Sequence, residues 1–139
     1  MRITGLHHVS LICHDLNATT AFYRDLLGLG LVNEGVNEDD EEYHRQFWFG
    51  DPPGKSGTLV SFMEYSDRTA GRQGLGVVHH FALTVDSVEE LGEWQRYLES
   101  KGVTTWGIFE RGLEGKGVRF QSLYVRDPDN NILELATRV

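Results

Sequence analysis

Two histidine pairs and one glutamate are the residues of this sequence best suited to chemistry. His7–His8 sits at the start of the first apolar run, and His79–His80 stands 72 residues further on. Glu134 lies within Asn-Ile-Leu-Glu-Leu-Ala, with apolar neighbours on both sides. A carboxylate there is costly to bury unless it is paired or coordinates a metal. Two imidazoles and a carboxylate from separate strands form a 2-His-1-carboxylate set. Such a set leaves positions open for substrate and oxygen on Fe(II), and Zn(II) or Mn(II) accept the same donors. Because the three residues come from distant strands, spacing alone leaves two readings open. One is a metal centre; the other is a pair of hydrogen-bonded strand histidines and an edge-strand glutamate.

The elements that must position these residues come from an internal repeat. The segments Gly5–Val32 and Gly76–Val103 each begin with an alternating strand that carries a His-His pair. Each continues through an Asp at a turn, an amphipathic stretch and a glycine stop. In the second helix Val88, Leu91, Trp94 and Leu98 form one apolar stripe, Ser87 and Glu90 read as a capping box, and Gly102 ends it. In the first, Asp15 or Asn17 can cap, Ala18, Ala21, Phe22 and Leu26 form the expected stripe, and Gly28 ends it. Strand-like runs follow: LGLVNEGV, EYHRQFWFG and GTLVSFMEY, then VTTWGIFE, GVRFQSLYV and NNILELAT. Each half therefore reads β-α-β-β-β, giving module one over 3–65, a Gly-rich linker over 66–75 and module two over 76–138. The acidic stretch from Glu34 to Glu42 is expected to be an exposed loop or hairpin tip.

Strand alternation sorts the faces. Val9, Leu11 and Cys13 share one face of the first strand, and His8, Ser10 and Ile12 the other. Phe81, Leu83 and Val85 oppose His80, Ala82 and Thr84, and Leu133 and Leu135 oppose Ile132, Glu134 and Ala136. In each strand one face is bulky enough to pack under a helix, while the other sets His8, His80 or Glu134 beside smaller residues, as a cavity wall requires.

Composition narrows the partners. The 139 residues are 40% apolar and 24% charged, as in a globular domain, and the net charge is −8. A chain this acidic is a poor fit to nucleic acid and lacks the basic face needed for an anionic membrane. No apolar run approaches the ~18–20 residues that span a bilayer. The opening MRITGLHHVS has no signal-peptide pattern, and the single Cys13 allows no intrachain disulfide, so a cytoplasmic protein is expected. Cys13 alternates with apolar residues and reads as a small buried hydrophobe. GDPPGKS, from Gly50 to Ser56, imitates a phosphate-binding loop, but it is one residue short, contains two prolines and joins two strands. It reads as a hairpin loop.

With His8 in HHV, His80 in HHFAL and Glu134 in DPDNNILELAT, the chain resembles the vicinal oxygen chelate superfamily of glyoxalases, bleomycin-resistance proteins and extradiol dioxygenases. The resemblance implies an α+β fold in which two βαβββ modules form a curved mixed sheet around a metal cavity, over one domain, 1–139. It implies His8, His80 and Glu134 as metal ligands. Ser61 stands opposite the Glu134 position and Glu64 falls on the other face by parity, so the four-ligand pattern of glyoxalase I is not matched.

Within the superfamily the chain is most similar to ring-cleaving dioxygenases of the hydroquinone type, which implies His7 and Tyr124 as residues assisting the substrate. That group's arginine seven residues before the tyrosine is replaced by Gly117, flanked by Arg111 and Arg119. The implied reaction is oxidative cleavage of a dihydroxyaromatic small molecule with Fe(II), or with Mn(II), Zn(II) or Ni(II) as alternatives, in a homodimer. A non-oxidative lyase, isomerase or thiol transferase, or a metal-free drug-sequestering protein, is the alternative on the same fold. Phe47, Trp48, Phe49, Phe62 and Trp106 could supply aromatic walls, and His14, His44 and His79 read as surface, pairing or supporting residues.

Overall fold

Side chains on a strand alternate between faces, so each sequence run above must bury one set of residues under a helix and leave the other for a second purpose. The computed structural model describes residues 1–38, 44–72, 74–113 and 115–139. It divides into two compact units, Met1–Ala70 and Gly71–Val139. The first carries β1 (His8–Cys13), α1 (Leu16–Thr20) continued by a π-helical stretch (Ala21–Leu26), β2 (Gly30–Val36), β3 (Arg45–Gly50) and β4 (Leu59–Glu64). The second carries β5 (Phe81–Thr84), α2 (Val88–Ser100), β6 (Thr105–Leu113), β7 (Val118–Arg126) and β8 (Ile132–Arg138). Each is a four-stranded mixed sheet, in the orders β1-β4-β3-β2 and β5-β8-β7-β6. The first strand of each module pairs parallel with the last, and the remaining neighbours are antiparallel. This is the βαβββ architecture expected from the repeat.

Both helices start where side chains can accept their orphan N–H groups. The Asp15 carboxylate accepts from the Asn17 N–H at 2.8 Å, which makes Asp15 the cap of α1. Ser87 accepts from the Glu90 N–H at 3.1 Å, while the Glu90 carboxylate accepts from the Asp86 N–H at 2.9 Å. The capping box is thus displaced by one residue on its return arm. Gly28 and Gly102 adopt positive φ, +77° and +79°, as C-terminal stops require.

The apolar stripe of the first helix differs from the expectation. Ala18 and Ala21 are exposed, whereas Leu16, Thr19, Thr20, Phe22, Tyr23 and Leu27 are buried. Two causes combine. Thr19 and Thr20 return their hydroxyl hydrogens to the carbonyls of Asp15 and Leu16, which lets polar residues be buried. The π-helical stretch also shifts the angular phase on which a 3.6-residue stripe depends. Tyr23 then packs on Phe62 and Phe49, with ring centroids 4.6 and 6.0 Å away, at the centre of the module-one core. In module two, Leu91 and Leu98 are fully buried, as are Leu123, Val125 and Leu133 of the sheet. Each such side chain contributes about 1.5–3 kcal/mol of transfer free energy.

Asp51–Gly57 forms the β3–β4 hairpin loop, and the Gly57 N–H donates to the His7 carbonyl at 2.8 Å, tying this loop to the strand that carries His8. Cys13 is buried. Glu34 lies in β2, and positions 39–42 of the acidic stretch fall outside the described residues. Among the described residues no helix is long and apolar enough to cross a membrane.

The cap of α2 gives a direct test. Ser87→Ala should lower stability by about 1 kcal/mol in chemical denaturation, with an unchanged denaturant slope; an unaltered midpoint would show that the cap contributes nothing.

Candidate metal and substrate site

Sheet register decides what surrounds Glu134. In β8 it is paired with Ala82 of β5 on one side and Tyr124 of β7 on the other, and Tyr124 is paired in turn with Trp106 of β6. Leu133 and Leu135 pair with Phe81, Leu83, Leu123 and Val125 on the opposite face. Alternation therefore separates an aliphatic layer, on the side packed by α2, from a face that presents Glu134, Tyr124, Ser122 and the residues of the β5 edge.

On that face Glu134 is buried, with 5% of its side chain exposed. Its two oxygens have different partners. Oε1 accepts a short hydrogen bond from the hydroxyl of Ser122, itself completely buried. Oε2 lies 2.9 Å from Nε2 of His80, whose side chain retains 35% exposure. The other nitrogen of His80, Nδ1, is 2.8 Å from Nδ1 of His79. The Tyr124 ring stands edge-on to His80 at 5.8 Å, and Phe109 flanks Tyr124 at 6.2 Å. Three of the residues singled out in the sequence, His80, Glu134 and Tyr124, thus meet on one sheet.

Module one carries the matching positions. His8 pairs with Leu59, Ser10 with Ser61 and Trp48 with Ser61, so Ser61 occupies the place that Glu134 holds in module two. Its hydroxyl is 2.6 Å from that of Ser10. His8 and His7 repeat the geometry of the other histidine pair, with their Nδ1 atoms 3.0 Å apart, and Trp48 lies edge-on to His8 at 4.9 Å. Glu64 pairs with Cys13 on the helix side, where it accepts from the Leu16 N–H at 2.9 Å and faces Arg45 at 3.4 Å. It therefore holds the start of α1 and has no place on the histidine face. Of the five candidate wall aromatics, Trp48 and Trp106 share the faces of the histidines, while Phe47, Phe49 and Phe62 belong to the helix side.

The donor chemistry can be tested for fit to a divalent cation. Two donors bound at about 2.1 Å in adjacent octahedral positions are about 3 Å apart, and the His80 Nε2 to Glu134 Oε2 separation is 2.9 Å. One imidazole and one carboxylate oxygen of module two therefore suit a common cation. Within either module, among the described residues, no third His, Cys, Asp or Glu side chain joins such a group. A separate notch of about 290 Å³ lies on module one, lined by Asn17, Thr20, Arg24, Asp25, Glu34 and Arg45. There the Arg24 hydrogen bond holds the Asp25 carboxyl below its ordinary range and raises the guanidinium. Phe47 also lines this notch, which places it on the helix side of module one and not on the face of His8.

A family model described as the Glyoxalase/Bleomycin resistance protein/Dioxygenase superfamily matches residues 5–135. The chain belongs to this superfamily. It is 35% identical over 122 residues to MhqE of Bacillus subtilis, a protein provisionally named a ring-cleaving dioxygenase, covering 86% of this chain and 38% of that one. It is 34% identical over 134 residues to biphenyl-2,3-diol 1,2-dioxygenase 3 of Rhodococcus globerulus, covering 94% and 61%. A crystal structure of a provisionally named dioxygenase from Bacillus subtilis superposes with a TM-score of 0.80 at 29% identity, over 95% of this chain and 40% of that one. The chain spans between 35% and 40% of the length of the first three curated relatives that it matches. The likeness of fold extends over nearly the whole of this chain.

Sequence reasoning missed Ser122. The signal was available: in Phe120-Gln121-Ser122-Leu123-Tyr124 the serine shares a face with Tyr124, two residues from it. The arginine position of the hydroquinone group, Gly117, falls in the β6–β7 turn at φ +64°. Its neighbours diverge: Arg111 pairs with Phe120 on the Glu134 face, and Arg119 pairs with Gly112 on the other and bonds Glu110.

Ser122→Ala should cost about 1.5–3 kcal/mol in the metal-free protein, because it strips a buried carboxylate oxygen of its donor. Equilibrium denaturation measures this, and a change within about 0.3 kcal/mol would mean that the carboxylate finds another partner.

Proposed function

We propose that the protein is a metal-dependent dioxygenase that cleaves the ring of a dihydroxyaromatic small molecule. His8, His80 and Glu134 would be the metal ligands, and His7 and Tyr124 the residues that assist the substrate. The observation that carries this reading is the buried Glu134 carboxylate, which keeps one oxygen for Ser122 and turns the other toward the partly exposed Nε2 of His80. Relatives named as ring-cleaving and diol dioxygenases supply the reaction class. His8 would complete the set either from the same chain or from a second copy in a homodimer.

When bound, Fe(II) supplies the redox path between an electron-rich ring and dioxygen, along with open positions for both. The remaining tasks fall to this chain. Glu134 brings negative charge and, with Oε1 held by Ser122, would ligate through Oε2, the oxygen that faces His80. His80 must give up its Nε2 lone pair to act as a ligand, so its ring proton resides on Nδ1, where His79 Nδ1 is the acceptor at 2.8 Å. His8 and His7 have the same relation at 3.0 Å. With its Nδ1 lone pair accepting from His8, a neutral His7 carries its own proton on Nε2 and offers that N–H to a substrate oxygen. Tyr124, on the strand beside Glu134, offers a hydroxyl to the substrate oxygen. Trp48 and Trp106 add flat apolar surface for a ring.

The test is oxygen uptake by protein reconstituted anaerobically with Fe(II), against a panel of catechols and hydroquinones, with metal content measured on the same samples. Uptake should require Fe(II) and a dihydroxyaromatic and should vanish in Glu134→Ala together with the metal. Tyr124→Phe should retain the metal and lose about 100-fold in kcat. Full metal content in Glu134→Ala would remove that residue from the ligand set. Stoichiometric metal with no uptake across the panel would favour a non-oxidative lyase, isomerase or transferase instead.

A further inference from the structure

We infer that Arg126 makes this site selective for a dihydroxyaromatic that carries a carboxylate, through a guanidinium held on the face of Glu134 by Trp106 and the Asn130 carbonyl. The inference rests on the ring-cleavage reading for the diol and on separate residues for the anion.

The first observation is an imbalance of charge. The chain carries a net charge of −8, and Arg24, Arg45, Arg68 and Arg119 each pair with a carboxylate. By register, Arg111, Arg126 and Arg138 all lie on the Glu134 face of module two, through the pairs Arg111–Phe120, Arg126–Ile132 and Phe120–Arg138. Among the described residues none of the three pairs with a carboxylate. Glu134 is the one acidic residue among the described strand positions of that face, and His80 already meets it. Three arginines and a single carboxylate thus share one face of a sheet in an acidic protein, a local excess of cation that suits an anionic ligand.

The second observation singles out Arg126. Tyr124 is directly opposite Glu134, so Arg126, two residues along β7, is its diagonal neighbour at about 7–8 Å, within reach of a long side chain. Arg138 lies four residues along β8 from Glu134, and Arg111 lies beyond the β6 bulge. Arg126 is also held in place. Its guanidinium sits 5.6 Å from the Trp106 ring centroid, and its Nη1 donates to the Asn130 carbonyl at 2.9 Å.

That carbonyl is fixed in its turn. Asn130 has φ +69°, and its N–H donates to the Asp127 carbonyl. The buried Asp127 carboxylate accepts from the Asp129 N–H, the Asn131 N–H and the Asn131 side-chain amide at 2.8–3.0 Å. The Asp127–Asn131 turn therefore fixes an arginine as well as reversing the chain. The donors that Arg126 does not spend on Asn130 remain for a carboxylate, which a guanidinium binds through paired N–H groups. A ring whose hydroxyls lie at the Glu134–His80 site, beside Tyr124, would place a remote substituent toward the β7 end, where Arg126 stands.

The test compares catechol with 3,4-dihydroxybenzoate, which share the same diol and differ in a carboxylate remote from it. Their dissociation constants are measured calorimetrically without oxygen, on metal-free and Fe(II)-loaded protein. Wild type should bind 3,4-dihydroxybenzoate at least about 10-fold more tightly. That ratio should fall to about one in Arg126→Leu and take an intermediate value in Arg126→Lys, which keeps the charge without the fork. Wild type and the lysine variant settle the question even if the leucine variant does not fold. Equal affinities in wild type, a preference that survives in Arg126→Leu, or binding of neither compound would overturn the inference. A preference that depends on Arg126 with no oxygen uptake would sustain it while removing the ring-cleavage reading.

Discussion

A carboxylate placed on an interior strand between two layers of side chains constrains everything near it. Glu134 is 5% exposed and flanked in β8 by leucines that belong to the aliphatic layer. Its charge must be met on its own face, because the layer beneath offers only hydrocarbon. Two partners meet it: the Ser122 hydroxyl from β7 and the imidazole of His80, the residue just before β5. The parallel β5–β8 pairing brings His80 beside Glu134, and the antiparallel β7–β8 pairing supplies Ser122 and Tyr124. The crossover through α2 is what allows two parallel neighbours. The site is therefore a consequence of sheet order as much as of residue type.

The two modules show what happens to the same frame with and without that carboxylate. Module one keeps the histidine pair, the parallel first and last strands and an aromatic opposite the key position. There Ser61 replaces the glutamate and satisfies itself against Ser10. No charge has to be compensated, so the face can consist of Ser, Ile, Met and Trp. The acidic residue of β4, Glu64, has a different use: it lies on the helix side and secures the first turn of α1. Two glutamates in the last strands of two similar modules thus differ in role because one residue of parity puts them on opposite faces.

Much of this was legible in the sequence, and the reasons are specific. The duplicated His-His strands, the turn residues and the alternation in NILELA reveal the strands, their faces and the opposition of Ser61 to Glu134, because period-2 patterning and Gly or Asp punctuation are local properties. The first helical stripe was not legible, since it depends on a π-helical phase shift and on threonines that bury their hydroxyls by bonding backward. Ser122 and Arg126 were passed over for a different reason. Alternation gives their face, but their importance follows from partners on other strands, namely Glu134 in one case and Trp106 and Asn130 in the other. Whether His8 joins His80 and Glu134 is set by long-range geometry that no local pattern encodes.

The most direct test of the central claim, that Glu134 and the histidines form one metal centre, is X-ray absorption at the iron edge of protein loaded anaerobically with one equivalent of Fe(II). The account predicts a light-atom shell with outer scattering from two imidazoles. One imidazole signal should be lost in His80→Ala and one in His8→Ala, and Glu64→Ala should leave the spectrum unchanged. A spectrum without imidazole scattering, or one that is identical in wild type and Glu134→Ala, would contradict it.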